Sequence, residues 1–266
     1  MFEELLEDIA QSNGLREVNP YLKLAAALGA ILLCLLSTSW VAPLAIALLL
    51  SLGVLLLARV EPRTYAKLFI APLSFALVSV LVILLVTGGS GPLWAWNPLP
   101  WLSLSLTRES VGEAALVLAR MIGGMSALIF LAVTTPMTDL FLVMRQCRLP
   151  ETVLDLAMMI YRAIFLILDQ LVQTYQAQRM RLGYSSFGES VRSLSTLCGS
   201  VFIGSWFAGE DLVRAMEARC SAGKFAMLGR IQPVEARPLL AVTAFLAVSA
   251  AIVALTGDVT AMQGVP

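Results

Sequence analysis

The chain has 266 residues, 59% of them hydrophobic and 14% charged, with 18 basic and 18 acidic side chains and a mean hydropathy of +0.85. Soluble domains are roughly 45–50% apolar and about 25% charged, so the composition argues against a water-soluble fold, and the zero net charge argues against an overall basic field for nucleic acid. Histidine is absent and Cys34, Cys147, Cys198 and Cys220 form no CxxC pair, which argues against a metal cluster or a disulfide framework.

In chain order, the first 20 residues carry Glu3, Glu4, Glu7, Asp8 and Glu17, the reverse of the basic start of a signal peptide. Phe2–Ser12 reads instead as a short cytosolic helix. Between Lys23 and Arg59 lie 35 uncharged residues. One helix of that length would run about 52 Å, against a hydrocarbon core of about 30 Å. Two short spans are therefore predicted, with a turn at Ser37-Thr38-Ser39-Trp40 and Pro43. A third span is predicted over Leu68–Val86. Gly88, Gly89, Gly91 and Pro92 then break the chain, and Trp94, Trp96 and Trp101 follow among further prolines, which reads as a surface loop at the headgroup level.

A fourth span is predicted over Val111–Val133, ending at Thr134-Thr135-Pro136, where proline stops one helix and can open another. From Asp139 to Arg237 lie 11 of the 18 basic and 9 of the 18 acidic residues, a density that predicts a large cytosolic insertion. The uncharged run Pro238–Gly257 is the last span. Arg59, Arg63 and Lys67 sit in the loop before the third span, and the 37–43 turn and the 87–107 loop hold no basic residue. The positive-inside rule therefore puts that loop and the N-terminus in the cytosol, and counting crossings puts the C-terminus outside. The predicted fold is an all-α polytopic membrane protein with about five transmembrane helices. Its parts are a four-span region over 1–135, a cytosolic helical region over 136–236, and a C-terminal helix and tail over 237–266. The apolar stretches 156–168 and 193–209 are left undecided between membrane and cytosol.

Within the insertion, Glu151–Gly183 reads as one long helix. Asp155, Arg162, Asp169 and Gln176 recur every seven residues and so fall on one narrow stripe. The rest of that helix is apolar nearly all round. Such a helix must be covered by lipid, by other helices or by a partner. It ends in Met180-Arg181-Leu182-Gly183, and a second cytosolic stretch ends similarly in Ala218-Arg219-Cys220. An arginine there either bonds the terminal carbonyls of its own helix or offers a rigid charged fork to a carboxylate on another protein. Spacing leaves both open.

Two arginine-centred tripeptides of Ala-Arg-Gly type at the ends of cytosolic helices resemble the signature pair of the transmembrane T component of energy-coupling-factor (ECF) transporters. Other segments fit the same family in the same order: Asn19-Pro20 with Lys23, Thr134-Thr135-Pro136-Met137-Thr138-Asp139-Leu140, Arg148-Leu149-Pro150, Tyr161-Arg162-Ala163-Ile164-Phe165, Arg181-Leu182-Gly183-Tyr184 and Gly199-Ser200-Val201-Phe202. Together they cover most of the chain, and each is similar to the cobalt-uptake, CbiQ-type branch. The resemblance implies that Met180, Arg181 and Leu182, with Ala218, Arg219 and Cys220, are ATPase-coupling motifs. In that family the helices carrying them dock into two cytosolic ATPase subunits. It further implies a membrane substrate-binding subunit for cobalt or nickel as partner, with ATP and Mg held by the ATPases and no cofactor or metal by this chain. The expected location is a prokaryotic plasma membrane. Cys220 departs from the family's usual glycine, and the Gly223-Lys224-Phe225 continuation is atypical.

Two features lie inside the predicted spans. Arg120 is mid-span with no acidic residue in the span cores to pair with. Charge at that depth costs about 2.5–3.5 kcal/mol, so the side chain must face protein or water, either bonding carbonyls at a helix break or meeting a partner. Ala115, Ala119, Gly123 and Ala127 recur at every fourth residue of the same span, a spacing that lets another helix approach closely, within the bundle or on a partner. Ala244, Ala247 and Ala251 give the last span a comparable face. No P-loop is present, since the one Gly-Lys pair, Gly223-Lys224, is followed by Phe225. The span cores supply no imidazole or carboxylate for a divalent ion. The favoured reading is thus a non-enzymatic coupling subunit. An autonomous secondary carrier would need ionisable groups and broken helices at the midplane. A membrane enzyme would need convergent Asp or His clusters.

Overall fold

The computed structural model describes residues 7, 9–11, 13–86, 94–99, 102–106, 108–220, 232–233 and 235–262. They fall into two units, Met1–Leu140 with Arg230–Pro266, and Phe141–Gly229. The predicted N-terminal helix over 2–12 lies largely outside the described residues, although 9–11 are helical. The 87–93 break, Trp101 and the Gly223-Lys224-Phe225 segment lie outside them as well.

The first unit begins with α1 (Pro20–Leu36). Asn19 caps it by accepting from the Tyr21 amide, and Pro20 supplies the first helical residue, whose missing N–H costs nothing there. Ser37 ends it in an extended conformation, its hydroxyl donating to the Ser39 carbonyl at 2.8 Å. The 35-residue apolar run is accordingly broken into α1 and α2 (Val41–Leu56). α3 (Pro62–Val86) carries Pro72 in its interior, and α4 (Arg108–Thr134) packs against α1, α2 and α3. α8 (Ala236–Met262) lies against α1 and α2. Pro62–Leu84, Ser110–Thr134 and Ala236–Gly257 are long and apolar enough to cross a bilayer, and α1 and α2 are shorter apolar helices. The chain is a polytopic helical membrane protein.

Between α3 and α4 the predicted loop contains a two-stranded antiparallel hairpin, β1 (Trp94–Leu99) with β2 (Leu102–Leu106). Its register is irregular between Trp96 and Leu99, where Pro98 has no N–H to give the ladder. The strict alternation Leu102-Ser103-Leu104-Ser105-Leu106 is strand-like, and the sequence reading passed over it.

Two apolar clusters hold this unit together. Ala30, Cys34, Ile46, Leu50 and Ala127 join α1, α2 and α4, with Phe130, Phe245 and Val253 packed around them. Val54, Ala58, Val60, Tyr65 and Val133 form the other, and there the Tyr65 hydroxyl meets the Ser51 hydroxyl at 2.7 Å.

The second unit contains α6 (Glu151–Met180) and α7 (Phe187–Ala218), preceded by the short α5 (Met137–Gln146), which runs into it from the first. Ser186 caps the start of α7, its hydroxyl accepting from the Glu189 amide, and the Glu189 carboxylate accepts from the Ser185 hydroxyl. The stretches 156–168 and 193–209, undecided from sequence, are parts of these two long helices.

Candidate coupling site

α6 and α7 are antiparallel near the turn that joins them. Gln178 donates to the Ser193 carbonyl at 3.1 Å and accepts from the Tyr184 hydroxyl at 2.8 Å, and the Ser193 hydroxyl donates to the Gly183 carbonyl at 2.7 Å. Further along, the Gln170 side chain lies against Gly204 and donates to the Ser200 carbonyl at 3.4 Å. The contact with α7 uses Gln170, Gln178 and Tyr184, which lie off the predicted seven-residue seam. Arg162, Asp169 and Gln176 of that seam are exposed, and Asp155 is half-buried.

Both arginine motifs adopt one backbone form. Met180 and Ala218 are the last residues of their helices, and Arg181 (φ −90, ψ 13) and Arg219 (φ −95, ψ 8) are the caps. Leu182 and Cys220 follow in the left-handed region at φ 60 and 51. The hydrogen bonds repeat as well. Each arginine amide bonds back three residues, to Gln178 and Met216, and each following amide does the same, to Arg179 and Glu217. A tightened last turn thus occupies the terminal carbonyls with backbone donors.

That geometry bears on the two readings left open by spacing. The carbonyls are satisfied without the guanidinium groups, and Arg181 and Arg219 are exposed, with no side-chain hydrogen bond or ion pair among the described residues. Met180 and Leu182 beside Arg181 are 85% and 74% exposed. A left-handed Leu or Cys costs about 1–2 kcal/mol relative to glycine, which is why glycine suits the third position of such a motif. α7, of 32 residues, separates the two arginines by about 48 Å. They cannot grip one small site, but they can reach two.

α7 also carries Phe187, Val191, Leu194, Phe202, Trp206 and Val213 along one face, all exposed. A continuous apolar stripe of this kind calls for cover by lipid or protein.

In the membrane unit, Arg120 donates from Nε and Nη2 to the Ser37 carbonyl, at 3.2 and 2.6 Å, so its charge meets the break between α1 and α2. Ala119, Gly123 and Ala127 are buried in the same place, while Ala115 is exposed. A Cβ on Gly123 would stand 2.6 Å from Cys34 Sγ and 3.1 Å from the Pro43 carbonyl oxygen. Three of the four small residues on α4 are therefore buried within the bundle. The small face on α8 lies differently. Ala244, Ala247 and Ala251 are exposed, and the residues turned to the bundle are Phe245, Leu246, Ser249 and Val253. Among the described residues no group of three His, Cys, Asp or Glu comes together.

Sequence reasoning missed a buried polar cluster at the other end of α4. Lys23, 2% exposed, donates from Nζ to the Thr134 carbonyl at 2.7 Å. Buried Asn13 donates to the Val133 carbonyl at 3.0 Å, and buried Asn19 donates to the Gln232 carbonyl at 2.7 Å. A lysine in the first turns of an apolar helix was the available signal. Asp139, nearby at the start of α5, has its carboxyl pushed above the usual range by burial, opposed by the positive charges of Lys23 and Arg16.

Comparison with known proteins gives a consistent answer. The family model described as CbiQ, cobalt transport protein, matches residues 11–227. A putative fused cobalt transport protein CbiMQ of Methanocorpusculum labreanum is 38% identical over 92% of this chain, which spans 41% of that relative's length. An uncharacterized protein of Methanocaldococcus jannaschii is 32% identical over 98% of this chain and 96% of its own. The cobalt transport protein CbiQ of Salmonella typhimurium is 25% identical over 64% of this chain and 76% of its own.

Proposed function

The chain belongs to the CbiQ family of cobalt transport proteins, and on that premise we propose that it is the transmembrane coupling subunit of an ATP-driven ECF importer for cobalt ion. In this reading the spans sit in a prokaryotic plasma membrane with the N-terminus and the α5–α7 region on the cytosolic side. Two ATPase subunits each receive one arginine-capped helix end, and a separate membrane subunit captures the ion.

The observation that carries the proposal is the pair of matching helix ends. Both present an exposed, always-charged fork that has no side-chain partner among the described residues, and α7 holds them about 48 Å apart. A self-sufficient carrier has no use for two such outward-facing groups. The relative that is named as a fused cobalt transport protein, and of which this chain spans 41%, supports work alongside another cobalt transport component. ATP and Mg belong to the ATPases in this scheme, because the chain offers no P-loop. Coupling then requires that the ATPases grip the two ends differently in their open and closed states, since a contact equal in both would only anchor them.

Affinity purification of the tagged chain from its native membrane in mild detergent tests the proposal. Two ATPase copies per chain are expected to co-purify. A chain that emerges alone under conditions where other membrane complexes survive counts against it.

A further inference from the structure

The chain passes between its two units twice, after Leu140 and before Arg230. The membrane-unit end of each passage is held by one short stretch, residues 13–23. Pro136 has no N–H, so the ladder of α4 stops there and leaves the carbonyls of its last turn without helical donors. Asn13 Nδ2 and Lys23 Nζ supply donors to two of them, Val133 at 3.0 Å and Thr134 at 2.7 Å. Before the other passage returns to α8, Asn19 Nδ2 donates to the Gln232 carbonyl at 2.7 Å. Asn13, Asn19, Lys23 and Thr134 are all buried. An ionisable side chain this deep at the start of a span is costly unless it has a task, and charged donors to buried carbonyls make the stronger hydrogen bonds.

We propose that Asn13, Asn19 and Lys23 form a clamp of positioning residues that holds the membrane-unit end of both passages against α1 and α4, so that displacement of the coupling helices reaches the spans. The inference rests on the coupling role proposed above.

Each asparagine also has a local duty that can be separated from the clamp. Asn13 Oδ1 accepts from the Leu15 amide and Asn19 Oδ1 accepts from the Tyr21 amide, both at 2.9 Å. Asn13→Asp and Asn19→Asp keep those acceptors and remove the donors to Val133 and Gln232; Asn13→Asp also removes the donor to the Ala10 carbonyl, at 2.8 Å. Lys23→Met removes the third donor, and Lys23→Arg keeps one.

The test uses the complete complex in proteoliposomes, with ATP hydrolysis and cobalt accumulation measured on the same sample. Hydrolysis is expected to stay within about twofold of wild type, while cobalt accumulated per ATP falls roughly tenfold in each donor-deleted variant and recovers in Lys23→Arg. An unchanged ratio at equal complex content overturns the clamp. So does parallel loss of hydrolysis, accumulation and complex with Lys23→Arg as damaged as Lys23→Met, since that pattern assigns the side chains to folding alone. If the variants keep the wild-type ratio while wild type couples, the clamp alone fails. If wild type itself shows no ATP-dependent accumulation, the coupling role fails and takes the clamp with it.

Discussion

Reversing Arg181 and Arg219 to glutamate together is expected to release the ATPase subunits from the chain while leaving it folded in the membrane. Both side chains are exposed and make no hydrogen bond or ion pair among the described residues, so their reversal breaks no contact among those residues. The helix ends are closed by backbone bonds from the arginine amides themselves, and glutamate has the same amide. Across an interface the cost is different. Removing one member of a buried, hydrogen-bonded charge pair costs about 2–5 kcal/mol, and reversal adds repulsion from the partner carboxylate. Two such losses weaken association by at least about a thousandfold. Because α7 keeps the sites about 48 Å apart, the single reversals should act independently and their effects should add. Co-purification of the ATPases with each variant, at matched chain abundance, reads the result. Retention of both ATPases by the double variant would remove the arginines from the interface.

The second large effect lies in the membrane unit. Gly123→Leu should collapse the joint between α1, α2 and α4, whereas Gly124→Leu, one residue away, should be tolerated. A side chain at 123 meets Cys34 Sγ at 2.6 Å and the Pro43 carbonyl oxygen at 3.1 Å, while at 124 nothing lies within 4 Å of an added Cβ. Cys34 sits in the buried cluster and Pro43 offers backbone, so neither can move aside cheaply. Overpacking of this kind costs about 1–3 kcal/mol or more, a large part of the 5–15 kcal/mol typical of a folded domain. The same displacement would pull Ser37 away from Arg120, whose two bonds to that carbonyl span the joint. Thermal unfolding in detergent, with Gly124→Leu as the control, measures it. Equal midpoints for the two variants would show that the close approach at 123 is not needed.

Much of this was legible from residues alone, and the reasons are physical. A 35-residue uncharged run is too long for one crossing, so the pair α1 and α2 and their break at Ser37 followed from length. Arg120 announced that it needed acceptors, but its acceptor is a backbone carbonyl 83 positions away, which no local pattern names. Lys23 was harder. A lysine near the start of a span ordinarily reaches toward the interface, and its partner at Thr134 is 111 positions distant. The heptad seam on α6 defined a face, but periodicity does not say which neighbour a face meets. Gln170 and Gln178, off that seam, make the contact. The left-handed Leu182 and Cys220 were invisible because such conformations are normally announced by glycine.

Those two helix ends also tie the functional reading to geometry. In both, an exposed arginine cap is followed by a left-handed residue. The form recurs at the C-terminal ends of α6 and α7, so the 32-residue α7 lies between the two and makes a two-handed lever. The exposed apolar face of α7, from Phe187 to Val213, adds the surface over which such a lever can be covered by neighbours.

The most direct measurement is radiolabelled cobalt uptake into sealed liposomes, made once with the purified chain alone and once with the chain together with its co-purified ATPases and substrate-binding subunit. A subunit that only transmits force moves no ion by itself, so uptake is expected in the second preparation alone, and only with ATP and Mg present. Cobalt accumulation by the chain alone, driven by its own gradient or a proton gradient, would contradict the account at its root.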